Sequence, residues 1–264
     1  MASFSKYLAN ALVNHLFGAP YSAPSSVFVA LCTADPTTDG TGLTLSEPSG
    51  GAYSRMEALF NAAADRATAN NTAIAFPTAT ASWGTISHFA LLDAETDGNV
   101  LAYKSLDVPR RIIADGGFNI PNGDLDVSMN FACVSDYLAN ELLDHVFIDS
   151  AFSAPASIFA CLCTAVPVHN DNGSTIAEPA TGNYARVEHN DWETAADGLS
   201  SNASKITFPK ATATVGTITH FAIADEPTAG NLLLNGPIGG ETQILEDDEP
   251  IFDVNTLIVR FIPA

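Results

Sequence analysis

The chain has 264 residues, 47% of them apolar and 15% charged, which is long for one ordinary domain and comfortable for two. Ten Lys and Arg stand against 30 Asp and Glu, a formal charge of −20 that repels phosphate backbones and anionic lipid heads, so nucleic-acid and membrane-surface binding are disfavoured. No apolar run reaches membrane-spanning length, and the opening MASFSKYLANALVNHLFG, broken by Asn10, Asn14 and His15, lacks a signal-peptide pattern, so the expectation is a soluble, cytoplasmically made protein.

In chain order, Tyr7, Leu8, Ala11, Leu12 and Leu16 recur at helical spacing and predict an amphipathic helix of about three turns. Ser3 or Ser5 can cap its start and Gly18 can end it. VFVALCT (27–33) reads as a strand buried on both faces. TAIAF (72–76), TASWGTISHFALLD (80–93), VLAYKSL (100–106), RRIIADG (110–116) and LDVSM (125–129) complete a set of strands. Turn signals separate them: DPTTDGTG, EPSGG, TDGN and PNGD. The fold class expected is mainly β, an antiparallel β-sandwich or barrel preceded by one amphipathic N-terminal helix.

The whole series then returns. YLANALVNHLF (7–17) recurs as YLANELLDHVF (137–147), and SAPSSVFVALCTADP (22–36) as SAPASIFACLCTAVP (153–167). EPSGGAYSR (47–55) recurs as EPATGNYAR (178–186), and FPTATASWGTISHFALLD (76–93) as FPKATATVGTITHFAIAD (208–225). LLLNGPI, TQILEDD and LIVRFI echo the later strands. The expected organisation is two tandem copies, residues 1–132 and 133–264, meeting with almost no linker and therefore touching. The first span holds 12 acids and 6 bases, net −6; the second holds 18 and 4, net −14.

Each residue with chemical potential has a structural reading beside it. His88 and His220, with Asp93 and Asp225 five residues on and Ser87 or Thr219 adjacent, could suggest hydrolase chemistry. Positions five apart in a strand face opposite ways, however, and no nucleophile motif is present. Histidines bonded to backbone are expected instead. Arg55 and Arg186, eight residues after Glu47 and Glu178, are expected in buried bidentate pairs that fix the EPxxGxYxR turn, with substrate binding as the alternative. Asp93, Glu95, Asp97 and Gly98 imitate the start of a calcium loop, but Lys104 stands where its closing carboxylate belongs, and Pro227 and Ala229 break the second copy. A hairpin turn explains both. Cys32, Cys133, Cys161 and Cys163 are expected as free thiols, mostly buried as small hydrophobes. Asn70, Asn172 and Asn202 begin glycan-acceptor triplets that read as turns, and Trp83, replaced by Val215 in the second copy, reads as core or interface. No catalytic, cofactor-binding or metal-ligating residue is expected in either copy.

The assembled strings LxxALxxxLF, YSAPSSVFVALCTADP, EPSGGAYSR, FPTATASWGTISHFALLDA and GNVLAYKSL resemble a small domain common in tailed-bacteriophage genomes, labelled as a tail-fibre or virion structural protein. The resemblance covers residues 5–129 closely and 135–261 more loosely; Lys210 for Thr78 and the acidic EDDEP (246–250) for ADGGF (114–118) mark the departures. It implies a non-enzymatic structural protein of a phage particle, a tail or neck appendage or fibre-type subunit, with other virion proteins as partners. A capsid decoration protein and a carbohydrate-binding module for host glycans are the alternatives. The loops 35–46 and 166–177 are the only plausible sugar-binding rims, and they hold no aromatic residue. The less acidic first half is expected to dock while the second faces outward. Duplication also suggests a homo-oligomer: three chains would supply six similar domains, suiting a trimer on a six-fold site.

Overall fold

The structure, a computed structural model, describes residues 2–261. The first repeat runs β1 (Ser3–Phe4), α1 (Lys6–Leu16), β2 (Val27–Cys32), β3 (Met56–Ala58), β4 (Ala67–Ala69), β5 (Ile74–Ala75), β6 (Gly84–Leu92), β7 (Val100–Ile112), β8 (Asn119–Ile120) and β9 (Asp126–Ser128). The second runs α2 (Asp136–Phe147), β10 (Phe159–Cys163), β11 (Val187–Glu188), β12 (Leu199–Ser201), β13 (Ile206–Thr207), β14 (Gly216–Ala224), β15 (Leu232–Ile244), β16 (Ile251–Phe252) and β17 (Ile258–Arg260). The fold is mainly β, in two tandem domains with one helix near the start of each. Ile262, the end of the expected strand LIVRFI, lies outside the described residues.

Ser5 starts α1: its backbone is extended and its hydroxyl accepts from the Leu8 amide at 3.1 Å. Ser135 does the same for α2 through Leu138. The buried stripe of α1 is Leu8, Ala9, Leu12, Val13 and Leu16, while Tyr7 is exposed. The expected stripe was therefore rotated: the Tyr7 ring lies instead edge-on against Tyr21.

The main sheet of the first repeat has the order β1-β7-β6-β2-β3, all antiparallel; in the second it is β11-β10-β14-β15, with a single Val134–Leu234 bridge in the place of β1. The short ribbons β4-β9 and β5-β8, and their counterparts β12-β17 and β13-β16, supply the other layer of each core. VLAYKSL and RRIIADG, expected as separate strands, form the single 13-residue β7. The interruption between them is a bulge. Ser105 pairs with His88 and Arg110 with Ile86, so residues 106–109 loop out, and residues 238–241 do the same in β15.

β2 is buried on both faces, for two different reasons. One face joins the large core under the helix and ribbons. The other carries Ala30 and Cys32 into a small core with Ala90, Leu92 and Val100, covered by Leu45 from the following loop. Cys161, Cys163, Ala222, Ala224 and Leu232 repeat that small core, covered by Ile176.

The repeats touch through contacts that come in exchanged pairs. On α1, the Asn10 carboxamide oxygen accepts from Gly198 N at 2.6 Å and that of Asn14 from Ala195 N at 2.7 Å. On α2, the Asn140 oxygen accepts from Arg66 N at 2.9 Å and the Asp144 carboxylate from Ala63 N at 2.6 Å. Phe17 stacks on Trp192, with centroids 4.1 Å apart, and Phe147 packs on Phe60 at 4.8 Å. At the centre His15 and His145 stack at 4.8 Å with planes 4° apart. His15 Nε2 donates to the Phe152 carbonyl at 2.9 Å, while His145 Nε2 donates to the Tyr21 carbonyl at 3.0 Å. Because His15 Nδ1 accepts from the Tyr21 amide, its ring is built into the interface neutral.

Burial holds the His15 pKa below its ordinary 6.5, the Phe152 carbonyl opposes that shift, and His145 adds to the depression. A histidine depressed on folding is protonated preferentially in the unfolded chain. Its contribution to stability is therefore whole above about pH 6.5 and is lost as pH falls from there through the folded pKa. His189, also lowered by burial, acts in the same direction. The midpoint of chemical denaturation should thus fall on acidification from about pH 7.5 to about pH 5.5. His15→Gln should flatten that dependence, and an unchanged slope in the variant would show that His15 carries no proton linkage.

Candidate interaction surface

Arg55 and Arg186 are internal fasteners. Arg55 Nε sits 3.2 Å from both carboxylate oxygens of Glu47, and Nη2 donates to Glu47 Oε2 at 2.7 Å and to the Gly42 carbonyl at 3.3 Å. Nη1 donates to the carbonyls of Ala94 and Asp97 at 3.0 and 2.8 Å. All five guanidinium N–H groups are engaged, leaving none for a substrate. Tyr53 completes the clamp by donating to Glu47 at 2.7 Å and accepting from the Leu31 amide at 2.9 Å. Burial, reinforced by Glu47, pushes the Tyr53 phenol far above its ordinary pKa. Arg186 binds Glu178 and the carbonyls of Gly173, Glu226 and Ala229 in the same way. Each clamp ties the cover loop to the β6–β7 or β14–β15 turn, holding the loops 35–46 and 166–177 over the small cores.

The histidine–aspartate pairs do not meet. His88 Nδ1 lies 2.9 Å from Ser87 Oγ, and His220 Nδ1 lies 2.9 Å from Thr219 Oγ1, so these rings bond neighbouring hydroxyls rather than the expected backbone groups. Asp93 is spent elsewhere: it accepts from Asn99 N at 2.6 Å and Asn99 Nδ2 at 2.7 Å, and Asp225 binds Asn231 at the same distances. That turn accounts for the acidic triplet with Gly98, which adopts φ +74°. Lys104 pairs with Asp126 at 2.8 Å, away from the turn. Among the described residues no three His, Cys, Asp or Glu side chains gather as a metal site would require.

The cysteines are all free, and Cys32, Cys161 and Cys163 are buried. Burial pushes the thiols of Cys32 and Cys163 up to about 12. Trp83 is core, donating to the Gly51 carbonyl at 2.8 Å.

Two of the three glycan-like asparagines were under-read as turns. Asn70 is fully buried; its Nδ2 donates to Thr72 O and Pro121 O at 2.7 and 2.8 Å and its Oδ1 accepts from Leu125 N at 2.8 Å. Asn202 repeats the staple with Ser204, Asp253 and Leu257. Asn172 alone makes an exposed turn, accepting from Ser174 N at 2.8 Å.

What remains available is surface. Exposed apolar side chains lie on the cover loops (Leu43, Val166, Val168) and at the far ends of the long hairpins (Val108, Ile113, Leu245, Ile251), with others, such as Leu59 and Ile258, scattered elsewhere. No helix among the described residues is long and apolar enough to cross a membrane. A family model described as Podophage GP4 fiber I protein gp80 matches the chain twice, over residues 3–128 and 133–260. No curated protein matches it. Each matched span contains one clamp, one buried asparagine staple and one interface helix.

Removing the guanidinium of Arg55 would leave Glu47 as a largely buried, unpaired carboxylate, with side-chain exposure of 17%. Arg55→Met should cost about 3–5 kcal/mol in chemical denaturation. Arg55→Lys should recover only a minor part, since three ammonium donors cannot reach the same five acceptors. Wild-type stability in the lysine variant would refute the clamp.

Proposed function

The chain belongs to the podophage GP4 fiber I protein family, carrying the family's domain twice, and from that premise we propose that it is a non-enzymatic structural subunit of a phage particle, a fibre-type appendage exposed at the tail or neck. The observation that carries this reading is the pair of matches, which together span nearly all of the chain. The fate of the chemically capable residues supports it. Arg55, Arg186, Asp93, Asp225, Asn70 and Asn202 all bind other parts of the same chain. A protein whose polar residues fasten its own loops suits holding a shape rather than turning over a substrate.

In this reading residues 1–132 and 133–264 are two building blocks joined back to back, and the partners are other virion proteins together with further copies of the chain. Three copies would bring six domains to a ring-shaped site. The first repeat, with the smaller negative charge, is the half that docks.

Side-chain-resolution imaging of purified particles tests the assignment. Two-domain density at fibre, neck or baseplate positions is the expected result. Density on the capsid lattice would replace the appendage with a capsid decoration role, and absence from the particle would remove the virion reading altogether.

A further inference from the structure

The two repeats share a framework but differ most at one equivalent place, the far end of the long hairpin. In the first repeat this end protrudes and carries two arginines at its tip, with Asp107 and Asp115 flanking them. Residues 106–109 bulge from β7 with Val108 77% exposed, and Arg110 and Arg111 follow, both exposed. Arg110 lies over the Phe118 ring at 5.6 Å. Neither arginine has a carboxylate partner among the described residues, although Lys6, Arg55, Arg66, Lys104, Arg186 and Lys210 all do.

In the second repeat the arginines are lost and acids accumulate just beyond them, although Gly239 stands at the place of Asp107. Gly240 stands at the place of Val108, and Thr242 and Gln243 at those of Arg110 and Arg111. Glu246, Asp247, Asp248 and Glu249, all exposed, occupy the positions of residues 114–117. A cleft of about 570 Å³ opens there, floored by Ile218, Ile238, Ile244, Ile251 and Phe252, with Asp248 and Glu249 at its rim. Gly239 has nothing within 4 Å of where a Cβ would stand, so no packing fills the space a side chain would take. A cleft of about 460 Å³ in the first repeat overlaps this place only at Leu106, Asp107 and Phe118–Ile120 and runs instead toward Lys104 and Asp126.

The geometry points to a head-to-tail contact between copies of this chain, in which the Val108–Arg111 tip of one copy seats in the acidic cleft of the next. Within one chain no hydrogen bond or ion pair joins the two ends among the described residues, so the complementary partner is a second molecule. Two arginines facing Asp248 and Glu249 would steer and orient the encounter, while Val108 entering the apolar floor supplies the contact that charge alone does not. Pro109 and the arginines guard the unpaired edge of β7 against strand pairing, so the contact is made by side chains rather than by extending the sheet. Because the surfaces joined are different, two copies leave one tip and one cleft open. The contact therefore propagates into a ring or a filament.

This gives the self-association part of the proposed function a defined surface, and it stands on observations independent of the virion assignment. Sedimentation velocity on the purified full chain should show self-association at low salt that weakens as salt is raised. R110E/R111E and D248K/E249K should each weaken it by about tenfold or more, with circular dichroism unchanged because the substituted groups are exposed. Mixing the two variants should restore assembly, since each then meets the opposite charge. A wild-type chain that stays monomeric, variants that assemble like wild type, or a mixture that fails to recover would each overturn the contact while leaving the particle assignment to imaging.

Discussion

The structure turns on two short helices that each satisfy the backbone of the other repeat. The turns at 63–66 and 195–198 hold Asp65, Arg66 and Asp197 at positive φ, so they present amides that no ladder can take. Those amides find Asn140 and Asp144 on α2, or Asn10 and Asn14 on α1. A buried N–H left without an acceptor costs about 1–3 kcal/mol, so a helix displaced from this seat would strand two such groups at once. The same seat positions the aromatic pairs and brings the two imidazoles together. One apolar cluster consequently runs through both repeats, rather than two cores lying side by side.

The clamps and staples extend the same rule outward. Each repeat carries long connections, 33–55 and 113–125 in the first, most of whose backbone groups the main sheet does not satisfy. Arg55 takes the carbonyl of Gly42 in the first connection and those of Ala94 and Asp97 in the β6–β7 turn, and Asn70 takes those of Thr72 and of Pro121 in the second connection. The loops are thereby held by side chains. This explains why Arg55, Glu47 and Asn70, and their counterparts Arg186, Glu178 and Asn202, turn toward the chain's own loops.

Much of this was legible because the chain contains its own comparison. Ser5, the strand β2 and the Glu47–Arg55 pair followed from elementary preferences repeated at two places. The cross-repeat contacts were harder. Asn10, Asn14 and His15 recur as Asn140, Asp144 and His145 on an otherwise apolar helix, and that recurrence was the available signal. Read one helix at a time, they are only interruptions of an amphipathic pattern, because their cross-repeat partners lie 74 to 188 residues away. The staples at Asn70 and Asn202 were hidden for the same reason: the local triplet reads as a turn, whereas their longest-range acceptors lie 51 residues away. The merging of two strands into β7 depends on a four-residue bulge that no local propensity announces.

Duplication also explains why symmetry and asymmetry are distributed as they are. Contacts at the seam are exchanged between the repeats, which keeps the helix residues that make them alike or nearly so: His15 and His145, Asn10 and Asn140, Asn14 and Asp144. The hairpin ends carry no such constraint, since neither touches the other. Had the same interface joined two separate identical chains, both ends would be identical, and a tip suited to a cleft could not coexist with that cleft at the equivalent position. Covalent linkage removes this restriction. One end can keep Val108 and two arginines while the other has Gly240, Thr242 and Gln243 there and four acids where the first has Asp115 alone, and the net charges of −6 and −14 are partly the record of that difference. A symmetric seam with unlike ends is the arrangement that converts a two-fold pair into a directional unit, one that can add copies in sequence rather than stopping at two.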